Sequence, residues 1–230
     1  MSTIQNYLLA LLPAKDRKHL LALCEPVHLQ LSKVLCEPGD TTNYVYFPTE
    51  SFISLVSFVD GHQGVEVGMV GREGLVGAHV ALGVAATPLQ ALVQGAGMAW
   101  RIPRPAFMRE LGSSVSLQRV LDRYLYILMM QLTTSAACLR YHQVGPRLAR
   151  WLLMCQDRAQ ADHFQMTQEV LATMLGVRRV GITTAASQLQ REGLITYRRG
   201  ALTVLDRDGL RAASCSCYET DRHTYQKVLG

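Results

Sequence analysis

The segment Thr167–Leu205 reads TQEVLATMLGVRRVGITTAASQLQREGLITYRRGALTVL and decides the fold of the C-terminal part of the chain. Thr167 is a suitable N-cap for a short helix, and Gly176 permits the sharp turn that follows it. The apolar face of this helix is formed by Val170, Leu171 and Met174. A second helix is predicted from Arg178 to Arg191, so the pattern is helix, glycine-containing turn, helix.

The second helix divides into an apolar side and a polar side. The residues predicted to be buried are Val180, Ile182, Ala186 and Leu189. Those left for the outer face are Arg178, Arg179, Thr183, Ser187 and Gln190. Two β-prone runs then flank Arg198-Arg199-Gly200, which predicts a hairpin, or wing, with a basic tip.

Charge is unevenly distributed along the chain. The net charge of the 230 residues is +5, and residues 140–211 alone contain eleven arginines against six acidic residues. The arginine guanidinium donates paired hydrogen bonds that suit phosphate and guanine. The motif and its charge therefore predict DNA binding, with the start of the second helix at base edges. Two alternatives are a helical hairpin packed within another regulatory domain, and a helix-turn-helix used for protein contact.

Outside this segment, the pattern of residue types changes at two points along the chain. Helical spacing marks residues 4–23, and short β-prone runs with Gly and Pro turns follow from Val27 to Pro103, which predicts a barrel or double-sheet roll. The first of these runs is Val27–Leu35. Residues from Ser116 to about His142 lack Gly and Pro and form a long amphipathic helix. Such a helix between two domains favours dimerisation, with a single buried core helix as the alternative.

The chain has a β-rich N-terminal half, then a long helix, then the helix-turn-helix and wing. This order of elements resembles the Crp/Fnr family of transcription regulators over nearly the whole chain. The resemblance implies an α+β fold: a jelly-roll-like, double-stranded β-helix sensor domain (1–112), a dimerisation helix (113–142) and a winged helix-turn-helix (143–230). It also implies a homodimer on a near-palindromic operator in double-stranded DNA, modulated by a signal at the β-roll. RNA polymerase and a small-molecule effector are further candidate partners.

The DNA-contacting residues are assigned by position in the motif. The candidates for base contact are Arg178, Arg179, Thr183 and Thr184, and those for phosphate contact are Thr167, Gln168, Ser187, Arg198 and Arg199. Family members often carry Arg-Glu-x-x-x-Arg at the start of the recognition helix. This chain keeps Arg179 but has Val180 at the glutamate position and Thr184 at the second arginine position, so the usual base code is not expected.

The sensor half departs from the cyclic-nucleotide-binding relatives. Their ribose-binding glutamate is replaced by Ala78, and their phosphate-binding arginine by Pro88 or Leu89. A buried phosphate would then lack its charged partner, so cAMP binding in the usual mode is not expected and no cofactor is predicted. A substitute effector site is placed at Arg72, Glu73, Gly74 and Gly77, with a plain turn as the alternative.

Six cysteines occur, and Cys215-Ser216-Cys217 is the one close pair. The C-x-C spacing lacks a second pair, so no metal site is predicted and a C-terminal tail with neighbouring thiols is the simpler interpretation. The alternative function from this pair is a redox- or metal-responsive regulator that uses Cys215 and Cys217.

Other classes of protein are disfavoured. No catalytic constellation is present, which predicts that the chain is not an enzyme. No apolar run has the length of a membrane span, and no signal peptide is recognised, so a cytoplasmic protein without membrane partners is expected. The sequence leaves open the identity of the effector, the operator sequence and the choice between activation and repression.

Overall fold

The computed structural model describes residues 6–60 and 63–230. Residues 4 and 5 of the predicted N-terminal helical segment lie outside this part of the chain. The helices are α1 (Tyr7–Ala10), α2 (Ala14–Ala22), α3 (Arg104–Ser113), α4 (Val115–Tyr141), α5 (Val144–Ala159), α6 (Gln168–Leu175), α7 (Arg179–Arg191), α8 (Arg207–Ala213) and α9 (Cys217–Val228). The strands are β1 (Glu25–Leu29), β2 (Val34–Cys36), β3 (Tyr44–Pro48), β4 (Phe52–Ser57), β5 (Val65–Val70), β6 (Gln90–Gly95), β7 (Gly97–Pro103), β8 (His163–Gln165), β9 (Ile195–Arg198) and β10 (Ala201–Val204).

The chain forms two compact units. The first contains the described part of Met1–Leu55 together with Gly68–Met129 and Val228–Gly230. The second contains the described part of Val56–Val67 together with Met130–Lys227. Within the described residues, none of the helices is both long and apolar enough to cross a membrane.

The N-terminal half is built on two antiparallel sheets, in the orders β1-β7-β3 and β2-β6-β4-β5. The sheets are open, so the predicted α+β class with a jelly-roll-like N-terminal part is confirmed without a closed barrel. Side chains that alternate along the strands fill the space between them. The core of this half includes Leu29, Tyr46, Ile53, Val70, Val76, Ala91, Val93 and Ala99.

The predicted strand Val27–Leu35 is wrong as a single element. β1 ends at Leu29 and β2 begins at Val34. Between them the Lys33 amide donates to the Gln30 carbonyl (3.2 Å), and Ser32 adopts a φ of +64°. All four intervening residues, 30–33, are exposed, including the one apolar side chain, Leu31. The segment therefore forms a turn rather than part of a buried strand.

The long helix is confirmed, as α4 spans Val115–Tyr141. One side of it is buried through Leu117, Leu121 and Tyr124. The Tyr124 hydroxyl donates to the Leu75 carbonyl at 3.3 Å, which anchors this side within the first unit.

The second unit holds the helix-turn-helix and more C-terminal structure than the sequence indicates. The interpretation of the segment around Cys215 as a tail is wrong, because residues 206–230 contain α8 and α9. Asp206 caps α8 by accepting from the Gly209 amide at 2.9 Å. In α9, Tyr218 is buried and its hydroxyl donates to Asp157 at 2.9 Å, so α9 is part of the core rather than an appendage.

Candidate nucleic-acid interface

The first helix of the motif, α6, is bounded as its sequence requires. The Thr167 hydroxyl accepts from the Val170 amide at 3.2 Å, which confirms the predicted N-cap. Gly176 ends the helix in the left-handed conformation with a φ of +59°. A Cβ at this position would lie 3.0 Å from Cγ2 of Val65, so both backbone and space favour glycine.

The second helix, α7, begins at Arg179 with Arg178 as its N-cap. Its buried side consists of Ile182, Ala185, Ala186 and Leu189. The prediction that Val180 is buried is wrong, since 69% of it is exposed. At about 100° per residue, Val180 lies roughly opposite Ile182 on the helix, and therefore shares the outer face with the polar residues.

Polar residues predicted to touch DNA also organise the motif internally. The Thr183 hydroxyl donates to Oε1 of Gln168 at 2.8 Å and lies 3.2 Å from the Arg179 carbonyl oxygen. The Thr184 hydroxyl donates to the Val180 carbonyl at 3.0 Å. Thr183 and Thr184 are exposed, whereas Gln168 and Ser187 are partly buried.

The wing is a tight hairpin, as predicted. Arg198 pairs with Ala201, which leaves Arg199 and Gly200 as a two-residue loop. Their φ angles are +51° and +82°, the pattern of a type I′ turn, whose twist matches that of the strands. Gly200 accepts this conformation readily, but Arg199 adopts it at a cost of about 1 kcal/mol. The arginine side chains at the tip are exposed.

Tyr197 connects the wing to both neighbouring elements. Its amide donates to Oε1 of Gln190 on α7 at 2.8 Å, and its hydroxyl donates to the Met166 carbonyl at 2.7 Å. Burial raises the Tyr197 pKa, and the nearby charge of Arg179 opposes this rise. Gln190 therefore links the wing to α7. The sequence pattern placed Gln190 on the outer face and did not indicate this contact.

The arginines of this unit fall into two groups. Several are engaged within the fold: Arg150 pairs with Asp221 (2.7 Å), Arg207 with Asp157 (2.6 Å), and Arg211 with Glu219. Four more also contact other groups of the fold, namely Arg140, Arg147, Arg158 and Arg222. The rest lie along α7 and at the wing tip. In the part of the chain that the structure describes, no ion pair forms at the exposed residues Arg178, Arg179, Arg191, Arg198 and Arg199. The predicted charge excess is therefore concentrated on the outer face of the motif.

Arg147 is a buried residue of α5 that contacts the end of α6. Its guanidinium is buried and donates to the carbonyl oxygen of Leu175, the last residue of α6. Burial lowers the Arg147 pKa. The carbonyl oxygens at the end of a helix lack partners within the helix, so this contact satisfies one of them.

Three of the predicted effector residues, Arg72, Glu73 and Gly74, lie in a structured turn of the first unit, and Gly77 follows it. The Gly71 amide donates to Oε1 of Glu73 at 3.1 Å. The Arg72 guanidinium lies over the Tyr7 ring, with its Cζ atom 5.2 Å from the ring centroid. A side chain at Gly74 would collide with Tyr124. Of the four predicted residues, Gly77 borders the neighbouring cavity, with a φ of +94°. Effector contact by these residues remains a prediction.

That cavity has a volume of about 110 Å³. Its polar lining includes Thr42 and His79, whose Oγ1 and Nε2 atoms are 2.8 Å apart, and Cys36, whose sulfur is 3.4 Å from the same hydroxyl. Burial lowers the His79 pKa. None of the lining residues is Arg, Lys, Asp or Glu.

The Cys215 and Cys217 pair is buried and has two further neighbours. The Cys215 sulfur is 3.6 Å from that of Cys138, and the Cys217 sulfur is 3.5 Å from Nδ1 of His142. Hydrogen bonding from Cys215 lowers the Cys138 pKa. Cys138 and His142 are four residues apart at the end of α4, a spacing that places two side chains on one helix face. This spacing was visible in the sequence, but nothing there linked it to Cys215.

Comparison with known proteins supports the assignment of the motif. The family model for Crp-like helix-turn-helix domains matches residues 146–213. No curated protein shows a significant match to the chain.

Solved structures share the fold at low sequence identity. FixK2 from Bradyrhizobium japonicum is 15% identical with a TM-score of 0.70, covering 84% of this chain and 98% of its own. The c-di-GMP-responsive global regulator CLP from Xanthomonas campestris is 17% identical with a TM-score of 0.68, covering 84% and 99%. A Crp/Fnr-family transcriptional regulator from Thermus thermophilus is 19% identical with a TM-score of 0.64, covering 83% and 98%. The chain therefore carries a Crp-like helix-turn-helix domain at residues 146–213 and has the fold of Crp/Fnr-family regulators.

Proposed function

We propose that the protein is a sequence-specific DNA-binding transcription regulator that acts as a homodimer on a near-palindromic operator. The observation that carries this proposal is the set of exposed arginines at the start of α7 and at the wing tip, which form no ion pair with any residue that the structure describes. These are Arg178, Arg179, Arg198 and Arg199, which extend from one helix-turn-helix and its wing. Positive groups arranged in this way suit a duplex, in which a groove is flanked by phosphates.

Base contact is assigned to the outer face of α7. Arg178 and Arg179 at its N-terminal end supply donors for guanine, and Thr183 and Thr184 follow one turn later. We add Val180, because an exposed apolar side chain at this position suits the methyl group of thymine.

Phosphate contact is assigned to residues around that face. Arg198 and Arg199 at the wing tip would meet one strand, and Thr167, Gln168 and Ser187 would meet the backbone beside α6 and α7. Gln168 supports this role through its geometry: its Oε1 accepts from Thr183 (2.8 Å), so its amide NH₂ group remains available to donate.

Dimerisation is assigned to α4. A row of exposed residues follows alternating spacings of four and three: Val115, Arg119, Asp122, Tyr126, Met129, Thr133, Ala136 and Arg140. This average period of 3.5 is that of a seam between two helices. Tyr126 and Met129, at 46% and 55% exposure, stand near its centre. A symmetric pair would present two recognition helices to two half-sites.

The signal is assigned to the first unit, whose cavity offers hydroxyl, imidazole and thiol groups but no lysine or arginine. An anionic phosphate would have no charged partner there, which supports an effector other than cAMP bound in the usual mode. We also propose that the protein is cytoplasmic and that it contacts RNA polymerase.

Selection of bound duplexes from a random DNA pool tests the function. The wild-type protein should enrich an inverted repeat, and the double variant R178A/R179A should not enrich it. The absence of enrichment by the wild type, with and without a panel of nucleotides, would contradict sequence-specific binding. Enrichment of a single half-site would contradict the dimeric arrangement alone.

Analytical ultracentrifugation tests the assembly. Met129→Glu should shift the protein towards the monomer and weaken operator binding, because it places a charge in the proposed seam. Arg123→Glu changes an exposed residue of the same helix outside the row and should leave the dimer intact. A wild-type monomer at concentrations that saturate the operator would refute the assignment.

A further inference from the structure

Four metal-binding side chains converge where the sequence predicted none. Cys138 and His142 come from the end of α4, and Cys215 and Cys217 from the start of α9 and the residues before it. One ligand atom from each lies within 4.8 Å of all the others. We propose that these residues form a structural site for a single Zn²⁺ ion with a Cys₃His ligand set.

Two of the distances between these ligand atoms match those around one tetrahedral ion. Zinc lies about 2.3 Å from sulfur and about 2.0 Å from nitrogen, which at the tetrahedral angle places two sulfurs about 3.8 Å apart and a sulfur and a nitrogen about 3.5 Å apart. The sulfurs of Cys138 and Cys215 are separated by 3.6 Å, and the Cys217 sulfur is 3.5 Å from Nδ1 of His142. Three thiolates and one imidazole are also a common donor set of closed structural zinc sites.

The backbone holds the four residues in place by contacts that do not involve the ligand atoms. The His142 amide donates to the Cys138 carbonyl at 3.1 Å, which extends the helical turn and keeps both residues on one face. The Cys215 amide donates to the Pro146 carbonyl at 3.3 Å, and the Tyr218 amide donates to the Cys215 carbonyl at 3.2 Å. The site is therefore built into the fold, and binding requires little rearrangement.

Burial and charge also favour an ion. Cys138, Cys215 and Cys217 are exposed by only 2%, 6% and 7%, and His142 is partly buried. Three thiolates and Zn²⁺ carry a net charge of −1. The guanidinium groups of Arg147 and Arg150 lie close enough to interact electrostatically with Cys138 and Cys215, and they offset this charge.

A disulfide explains the arrangement less well. A bond between Cys138 and Cys215 would leave Cys217 facing His142 without a role, whereas a metal uses all four groups. Coordination would transfer the proton of each thiol to solvent without any change of oxidation state. The ion would fasten the start of α9 to the end of α4, next to the N-terminus of α5.

The test uses tag-free, full-length protein purified under reducing conditions. Metal analysis should find about one zinc per chain. After chelation, Co²⁺ titration should give the visible bands of tetrahedral cobalt and a thiolate-to-cobalt charge-transfer band, and Zn²⁺ should abolish both. Chelation should also lower Tm, because the ion binds the folded state.

Variants assign the ligands. Cys217→Ser should weaken Co²⁺ binding by more than about 100-fold, beyond the usual effect of a residue outside the ligand set. His142→Ala should shift the cobalt spectrum, and Cys24→Ser, which changes a cysteine far from the cluster in sequence, should have no effect. The decisive measurement is made on the wild type, so it does not depend on whether a variant folds. The proposal is overturned if the reduced wild-type protein gives no tetrahedral cobalt spectrum. Mass spectrometry that finds a Cys138–Cys215 disulfide in metal-free protein as purified would also overturn it. Neither result bears on DNA binding.

Discussion

The Thr183 hydroxyl donates a 2.8 Å hydrogen bond to Oε1 of Gln168, which joins α7 to α6, the first helix of the motif. The partners are fifteen residues apart in the chain, on opposite sides of the Gly176 turn. Two residues chosen from the sequence as separate DNA contacts are thus one structural unit. We therefore expect a substitution at either to change both the proposed DNA-contacting surface and the arrangement of the two helices.

A double-mutant cycle should detect this coupling. Thr183→Val keeps the side-chain shape but removes the donor, and Gln168→Ala removes the acceptor. We expect the two changes in the free energy of unfolding to be non-additive by about 0.5–1 kcal/mol, the net value of one hydrogen bond. Denaturant unfolding measures this quantity, and Ser187→Ala paired with Gln168→Ala serves as the control. Strict additivity of the Thr183 pair would show that the bond contributes nothing to stability.

Arg179→Ala should impair recognition at a particular base pair. An arginine at the start of the recognition helix reads guanine through two hydrogen bonds, so its loss should cost roughly 1–3 kcal/mol and relax specificity at one base pair of each half-site. Arg191→Ala is the matched control, because Arg191 is also exposed on α7 but stands at the opposite end. Competition binding with single-base variants of the selected site gives the result. Unaltered discrimination in R179A would place the recognition helix elsewhere.

Val180 should contribute through the thymine methyl group. If it touches that group, replacing one thymine of the half-site with deoxyuracil should weaken binding by the wild type. The same replacement should have little effect on V180A, because the variant no longer reaches the methyl group. The methyl–methyl interaction is worth about 1 kcal/mol, on the scale of one buried CH₂ group. Scanning deoxyuracil through the half-site would refute the assignment if every position affected both proteins equally.

The sequence predicted the elements whose periodicity is long and regular. The boundaries of α4, α6 and α7 lie within a few residues of those expected, because a helix repeats its apolar side every three or four residues. Short strands carry less information. A single β-prone run from Val27 to Leu35 became two strands, since the turn at Ser32 depends on which carbonyl the Lys33 amide meets.

In the candidate site, too, some features could be predicted from the sequence and others depended on tertiary contacts. Exposure of Arg178, Arg179 and the wing arginines could be predicted, because charged residues at a helix start and a hairpin tip have nowhere to be buried. The exposure of Val180 follows from the helical period, which places it about 200° from the buried Ile182, so the two residues could not share the apolar side. The role of Gln190 depended on a contact with Tyr197 across the turn. The cluster of Cys138, His142 and Cys215 joins residues 77 positions apart, a proximity that only tertiary structure creates.

His79 should make the stability of the protein depend on pH. Burial lowers its pKa below the usual value near 6.5, so the unfolded chain binds a proton more readily than the folded one. Stability contributed by neutral His79 is then complete above about pH 6.5 and is lost as the pH falls towards the lowered pKa. His79→Gln keeps a polar group near Thr42 but does not titrate.

Between about pH 8 and pH 5.5, the unfolding free energy of H79Q should therefore fall less than that of the wild type. Other titrating groups are common to both proteins and cancel in the comparison. Equal losses in the two proteins would show that His79 is not protonated differently on folding.

The wing tip allows charge and turn geometry to be separated, because Arg199 occupies a left-handed position that asparagine tolerates better. Arg199→Asn should keep or raise Tm while weakening binding to every DNA sequence by a similar factor. For each phosphate that the variant no longer neutralises, the slope of log K against log salt should become shallower by about 0.9. Arg199→Lys keeps the charge with a similar backbone cost, so it should retain most of the affinity and the full slope. Binding measured across a salt series distinguishes the outcomes. If R199N has the same slope as the wild type, the wing tip does not reach a phosphate. If R199K binds as weakly as R199N, the planar guanidinium rather than its charge makes the contact.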